Sequence, residues 1–207
     1  MNRPIAGLYA VTPDTADTPV LLARVEAALA GGARLLQYRN KLASPALRLS
    51  QGRALLALCW EYQVPLIIND HLELAVALDA HGLHVGEEDG EVAETRKRLG
   101  PDKILGVSCY ASVETARAAA EAGASYVAFG GFFPSKVKPG KTERTPIALL
   151  GEAKKALDLP VVAIGGITLD NAPTLIKAGA DSIAVISALF EASDVRATAR
   201  RFRDLFR

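Results

Sequence analysis

Ala30-Gly31-Gly32-Ala33-Arg34-Leu35-Leu36-Gln37-Tyr38-Arg39-Asn40-Lys41 joins the end of a helical pattern to a short apolar run and then to a row of polar side chains. The glycines stand where a helix C-cap needs positive φ, and a strand pattern follows within two or three residues. The same junction returns as Ala122-Gly123-Ala124 and as Ala178-Gly179-Ala180. Outward from these points the chain alternates short apolar runs with amphipathic stretches. Strands are expected at 6–11, 33–39, 66–68, 82–85, 103–107, 125–129, 161–164 and 182–185. Helices are expected at 19–30, 44–62, 70–79, 91–99, 112–122, 146–157 and 170–178, with one more closing the chain; Ser44-Pro45 carries the cap-then-proline signature of a helix start. Strands that read as continuous apolar runs are covered on both faces, and right-handed crossovers close such units into a ring. The pattern therefore predicts an α/β fold, a (β/α)₈ TIM barrel in a single domain over 1–207. An open doubly wound sheet is the rival, and even spacing without subdivision favours closure.

Composition narrows the function classes. Twenty-four Lys and Arg against twenty-three Asp and Glu leave a net charge of +1, so no global basic field points to nucleic acid or to a membrane surface. Cys59 and Cys109 have neither metal-ligand spacing nor the density of a disulfide scaffold, which fits a reducing cytoplasm. No apolar run approaches the roughly 18 residues of a membrane span, and the N-terminal residues lack the apolar core of an export signal. The expected partners are small molecules; a homo-oligomer stays open.

Polar residues gather at the expected strand exits, where a barrel places its chemistry. In a strand, alternate side chains share a face, so Gln37, Arg39 and Lys41 would converge on one anionic group; a solvated strand exit is the local alternative. The third strand ends in Asn69-Asp70, where either residue also fits a helix cap. The fourth runs through His84-Val85-Gly86 to Glu87-Glu88-Asp89, which also reads as an ordinary exposed loop. Asp70 and Asp89 leave consecutive strands and can face one another. Two carboxylates beside cations suit Mg²⁺ carrying a polyphosphate. The long loop over 130–144, with Lys136, Lys138 and Lys141, reads as a lid or binding loop or as a solvated basic loop. Gly165-Gly166 after the seventh strand and Ile186-Ser187 after the eighth occupy the positions where barrels bind phosphate. His71 and His81 read as helix residues, and three histidines without ligand spacing argue against zinc. Trp60 and Tyr62 read as packing groups.

Leu8-Tyr9, Gln37-x-Arg39-x-Lys41, Ile68-Asn69-Asp70, Gly82-Leu83-His84-Val85-Gly86-x-x-Asp89, Gly106-Val107-Ser108, Phe133-Pro134-Ser135-x-x-Lys138, Val162-Ala163-Ile164-Gly165-Gly166-Ile167 and Val185-Ile186-Ser187 together resemble the thiamine-phosphate synthase family, in order and over nearly the whole chain. The resemblance implies a Mg²⁺-dependent transferase that joins hydroxymethylpyrimidine diphosphate to hydroxyethylthiazole phosphate. The C–O bond to pyrophosphate breaks first, and the thiazole nitrogen then attacks. It implies Gln37 and Ser108 at the pyrimidine, Asn69 at the pyrimidine or diphosphate, and Arg39, Lys41 and Lys138 on the leaving group. Asp70 and Asp89 would hold the metal, Ser135 would contact substrate, and Gly165, Gly166, Ile186 and Ser187 would hold the thiazole phosphate. Three positions depart from the family pattern: His71 replaces Arg, Glu87 replaces Gln, and Val137 replaces a hydroxyl residue. If that hydroxyl binds a phosphate, its loss costs roughly 1.5–3 kcal/mol. The departures leave two alternatives, a thiazole tautomerase-like isomerase and a non-catalytic sensor of thiamine precursors. Cys109-Tyr110, where the isomerase family carries a His, argues against the first, and the retained Asp70 and Asp89 argue against the second. The sequence leaves open whether a carboxylated thiazole phosphate is the acceptor.

Overall fold

The computed structural model describes residues 5–134 and 144–207. Its eight strands are β1 (Gly7–Val11), β2 (Leu35–Tyr38), β3 (Leu66–Asn69), β4 (Gly82–Val85), β5 (Ile104–Tyr110), β6 (Tyr126–Gly130), β7 (Val161–Ile164) and β8 (Ser182–Val185). They pair in parallel, in chain order, and β8 returns to β1, so the ring is closed and the open-sheet alternative falls. Outside it lie α1 (Thr18–Gly31), α2 (Pro45–Tyr62), α3 (Leu72–Ala77), α4 (Val92–Leu99), α5 (Val113–Glu121), α6 (Ala148–Ala156), α7 (Ala172–Lys177), α8 (Ser187–Phe190) and α9 (Val195–Asp204).

The three junctions share one geometry. Gly32, Gly123 and Gly179 have φ of +105°, +94° and +116°. Each is followed by an alanine whose N–H bonds back into the last helical turn, Ala33 to Ala28, Ala124 to Ala119 and Ala180 to Leu175. This satisfies carbonyls that a helix end otherwise leaves open. Ser44 caps α2 by accepting from the Leu47 N–H at 3.3 Å, with Pro45 in the first turn.

Strand alternation sorts the core into two layers. Residues such as Leu36, Ile68, Leu83, Val127 and Ile183 face the helices and join the main apolar cluster. Tyr9, Leu35, Ile67, Tyr126, Val162 and Ala184 fill the barrel interior. The helix-facing layer is mainly apolar, with Gln51 and Thr95 as buried exceptions, whereas the interior carries Gln37, His84 and Ser182.

Three elements and two histidines differ from expectation. The fifth strand runs to Tyr110 with a register shift between Ser108 and Tyr110, so Ser108 belongs to the strand. Helix α3 begins at Leu72, because Asp70 adopts φ +61° and makes no cap. His71 stands just before that helix and His81 just before β4, so neither lies inside a helix. The terminal helix is divided into α8 and α9.

Candidate active site

A cavity of about 790 Å³ opens at the C-terminal ends of the strands. Eleven residues singled out from the sequence line it: Gln37, Arg39, Lys41, Asn69, Asp70, Asp89, Ser108, Gly165, Gly166, Ile186 and Ser187. Ser135 and Lys138, like Val137, lie outside the described residues.

Only Gln37 of the cationic row lies within β2. Beyond the strand the chain stays in register because Thr12 stands in for a backbone partner. Its hydroxyl donates to the Arg39 carbonyl and accepts from the Arg39 N–H, both at 2.9 Å. The loop after β1 adds an anchor that the sequence reading missed. Asp14 accepts from Arg39 Nη1 at 3.0 and 3.1 Å and from the Lys41 N–H at 2.6 Å. A charged pair of this kind fixes direction as well as charge.

Across from the cations, Asp70 and Asp89 are in side-chain contact; burial first, then the Asp89 charge, raises the Asp70 pKa, with Lys41 opposing. Lys41 Nζ lies 3.7 Å from Asp70 Oδ2. The left-handed backbone at Asp70 turns its carboxylate into the cavity wall instead of onto α3. Asp89 ends a short 3₁₀ turn over Glu87–Asp89, and its Oδ2 accepts from the Gly86 N–H at 2.7 Å. Glu87 lines the cavity and adds to its negative wall, while His71 borders a small adjoining recess with Asn40 and Arg48.

On the opposite side the wall is backbone. Gly165 and Gly166 have φ of +108° and +63°. A Cβ on Gly166 would lie 2.2 Å from the Pro134 carbonyl oxygen, and one on Gly165 would lie 2.5 Å from Gly131 Cα. The β7 loop therefore packs against the β6 loop at a distance only glycine permits.

The floor between these sides holds groups that sequence reading left without a role. Tyr9, His84 and Tyr126 sit inside the barrel, each hydrogen-bonded at 2.8–2.9 Å to a neighbouring side chain. The signal was present in the strand alternation, since Tyr9 shares a face with Val11 and Tyr126 with Ala128. Arg144 and Tyr110 also border the cavity. Trp60 and Tyr62 do not line it, and Trp60 lies against His81 with ring centroids 5.0 Å apart.

A family model for thiamine monophosphate synthase matches residues 8–189. The chain belongs to the thiamine monophosphate synthase family. The thiamine-phosphate synthase of Methylobacillus flagellatus is 57% identical over 98% of this chain and 96% of its own length. That of an Azoarcus species is 54% identical over the full length of both. Among solved structures, thiamine phosphate pyrophosphorylase from Pyrococcus furiosus superposes with a TM-score of 0.86 at 34% identity, covering 97% of this chain and 95% of that one. Membership of the thiamine monophosphate synthase family accounts for the barrel and places the chain among transferases of thiamine biosynthesis. No helix among the described residues is long and apolar enough to cross a membrane.

Proposed function

We propose that this chain acts as a single-domain transferase. It condenses 4-amino-2-methyl-5-hydroxymethylpyrimidine diphosphate with 4-methyl-5-(2-hydroxyethyl)thiazole phosphate, giving thiamine phosphate and pyrophosphate. The observation that carries this reading is one cavity with Arg39, Lys41 and the two aspartates at one end, the Gly165-Gly166 backbone with Ser187 and Glu191 at the other, and a floor of Tyr9 and His84 between them. Two anionic substrates can be held at opposite ends with their reacting atoms meeting over the floor.

The chemistry asks for charge stabilisation more than for proton transfer. When the C–O bond breaks, both electrons leave with the diphosphate, and negative charge grows beside Arg39 and Lys41. Fixed cations placed where charge develops lower the barrier because they need no reorganisation. Lys138 is assigned to the same diphosphate, and Ser135 to substrate contact, on the family resemblance. Gln37, Asn69 and Ser108 orient the pyrimidine, whose amino group delocalises the resulting cation. The thiazole nitrogen then closes the C–N bond with its own lone pair. It carries no proton to remove, so no general base is assigned. Gly165, Gly166, Ile186 and Ser187 hold the thiazole phosphate.

Asp70 and Asp89 fit a hard divalent cation. They are paired carboxylate oxygen donors, and burial first, then the Asp89 charge, raises the Asp70 pKa. Among the described residues no group of three or more His, Cys, Asp and Glu is arranged around a metal, so the protein would supply few of the ligands. Mg²⁺ commonly binds through one or two carboxylates plus waters and substrate phosphates. When bound there, Mg²⁺ would offset the charge of the diphosphate. The two cysteines are free and buried, and we assign the cytoplasm as the compartment.

The test is pyrophosphate release from purified protein given Mg²⁺ and the pyrimidine diphosphate, with and without the thiazole phosphate, with thiamine phosphate followed in parallel. Product that depends on both substrates and metal is expected. Thiazole phosphate binding without any product would turn the reading towards the isomerase or the sensor.

A further inference from the structure

We propose that Tyr9, Tyr126 and His84 form a hydrogen-bond relay that couples the Gln37 amide to the Ser108 hydroxyl, so that the cavity floor presents one of two matched donor–acceptor patterns and thereby reads the substitution of the pyrimidine ring. The proposal rests on the functional reading above and names three positioning residues for it.

The relay is continuous. Gln37 Nε2 lies 2.9 Å from the Tyr9 hydroxyl, which lies 2.8 Å from that of Tyr126. The Tyr126 hydroxyl lies 2.9 Å from His84 Nδ1, and His84 Nε2 lies 2.8 Å from Ser108 Oγ. Tyr9 and Tyr126 are 1% and 0% exposed, so water does not interrupt the chain. The rings are fixed as well, Tyr126 stacking on His84 at 5.6 Å and meeting Tyr9 edge-on at 6.0 Å. Gly106 makes the room, since a Cβ there would fall 2.0 Å from Tyr126 Cζ.

Each interior member has one hydrogen to donate. Burial raises the pKa of both tyrosines, so they stay protonated, and burial pushes His84 down to about 4, so it stays neutral with a single N–H. Only two polarities then satisfy every link and use every hydroxyl hydrogen; any mixed arrangement leaves a hydrogen of the buried Tyr9 or Tyr126 without an acceptor in the chain. In the first, Gln37 Nε2 donates to Tyr9, Tyr9 to Tyr126, Tyr126 to His84 Nδ1, and His84 Nε2–H to Ser108. Gln37 Oε1 and the second Nε2 hydrogen then face the cavity, and Ser108 has a hydrogen to give. In the second, every bond is reversed. Tyr9 donates to Gln37 Oε1, Ser108 donates to His84, and Ser108 offers the cavity lone pairs only.

An amine beside a ring nitrogen matches the first polarity, with the amine donating to Oε1 and Nε2 donating to the nitrogen. An oxo group beside a ring N–H needs the amide turned over, which forces the second. A further ring nitrogen is an acceptor in both rings and needs the Ser108 hydrogen. Only the first polarity supplies it. The oxo ring is therefore penalised at Ser108, remote from the atom that changed. A site whose buried polar groups are left mismatched rejects the wrong ligand strongly.

Tyr126→Phe cuts the relay. The readout is kcat/KM for the aminopyrimidine diphosphate relative to its 4-oxo analogue. We expect that ratio to fall by about tenfold or more, the effect of one mismatched hydrogen bond, with the KM for thiazole phosphate unchanged. Parallel losses on both rings, or an unchanged ratio, would overturn the relay. A second measurement needs no variant and no turnover. By ¹⁵N NMR of the wild-type protein, the His84 proton should sit on Nε2 with the aminopyrimidine alcohol bound and on Nδ1 with the oxo alcohol. One tautomer in both complexes would sink the proposal. Wild-type protein that switches tautomer yet forms no thiamine phosphate would refute the functional reading and leave the relay standing.

Discussion

At the ends of β2, β3 and β4 the cavity is walled by charged side chains, whereas the end of β7 brings glycine main chain into its wall, with Thr168, Ser187 and Glu191 beside it. On the first side Asp14 holds Arg39, and Lys41 faces the Asp70–Asp89 pair. On the second, Gly165 and Gly166 bring backbone against backbone. Side-chain charge can respond to a group whose charge changes during reaction. Main-chain donors suit a phosphate that stays the same from start to finish. The difference is the ground on which the leaving group is proposed at the charged end, and it can be broken one side at a time.

The largest effect is expected on the charged side. Arg39→Ala removes fixed positive charge from the leaving group, and loss of one such stabilising group commonly costs about 10²–10³-fold in turnover. The KM for thiazole phosphate should not move, because its site is built from other strands. Steady-state kinetics with each substrate varied in turn checks this. A rise in the thiazole phosphate KM with kcat intact would reverse the assignment of the two ends.

The glycine side should show the opposite signature at smaller scale. Ala at position 166 must adopt φ +63° and place its Cβ 2.2 Å from the Pro134 carbonyl oxygen. A left-handed alanine alone costs about 1–2 kcal/mol. Gly166→Ala should therefore raise the KM for thiazole phosphate by about tenfold, the equivalent of ~1.4 kcal/mol, with kcat less affected. An unaltered KM would remove Gly166 from the phosphate site.

The sequence made these two sides unequally legible. The glycine junctions report backbone need directly, because a residue without Cβ is required wherever φ is positive, and so the barrel and the β7 loop could be read from them. The charged row was read for a partly different reason from the one the structure supplies. Arg39 and Lys41 lie past the end of β2, and their place depends on Thr12 and Asp14, some 25 or more residues earlier. Asp70 looked equally like a helix cap, because its left-handed φ is set by the turn from β3 into α3. Tyr9, His84 and Tyr126 drew no role from the sequence, and all three are buried. Nothing local distinguishes a tyrosine that only fills a barrel from one that also joins a hydrogen-bond chain across it, since the partners come from β1, β2, β4, β5 and β6.

The smallest expected effect tests the carboxylate pair itself. Asp70 is held near Asp89 in a half-buried setting, and burial first, then the Asp89 charge, raises its pKa, so the fold holds its charged form at a cost. Asp70→Asn removes one of two facing charges, and Asn tolerates the left-handed φ that Asp70 adopts. The ion pair lost with Lys41 contributes little, since it spans 3.7 Å and the Lys41 side chain is 56% exposed. Without metal, the variant should therefore melt higher than wild type, by about 2–4 °C if relief of repulsion is worth ~1 kcal/mol. Added Mg²⁺ should raise the wild-type melting temperature by stabilising the folded state, and it should leave the variant unmoved. Turnover would fall in the variant even as its stability rose, the usual direction where a site keeps like charges together for function. A variant that melts lower without metal, or that still gains from Mg²⁺, would show that Asp70 is a structural anchor for the turn after β3. The charged side would then owe its character to Arg39 and Lys41 alone.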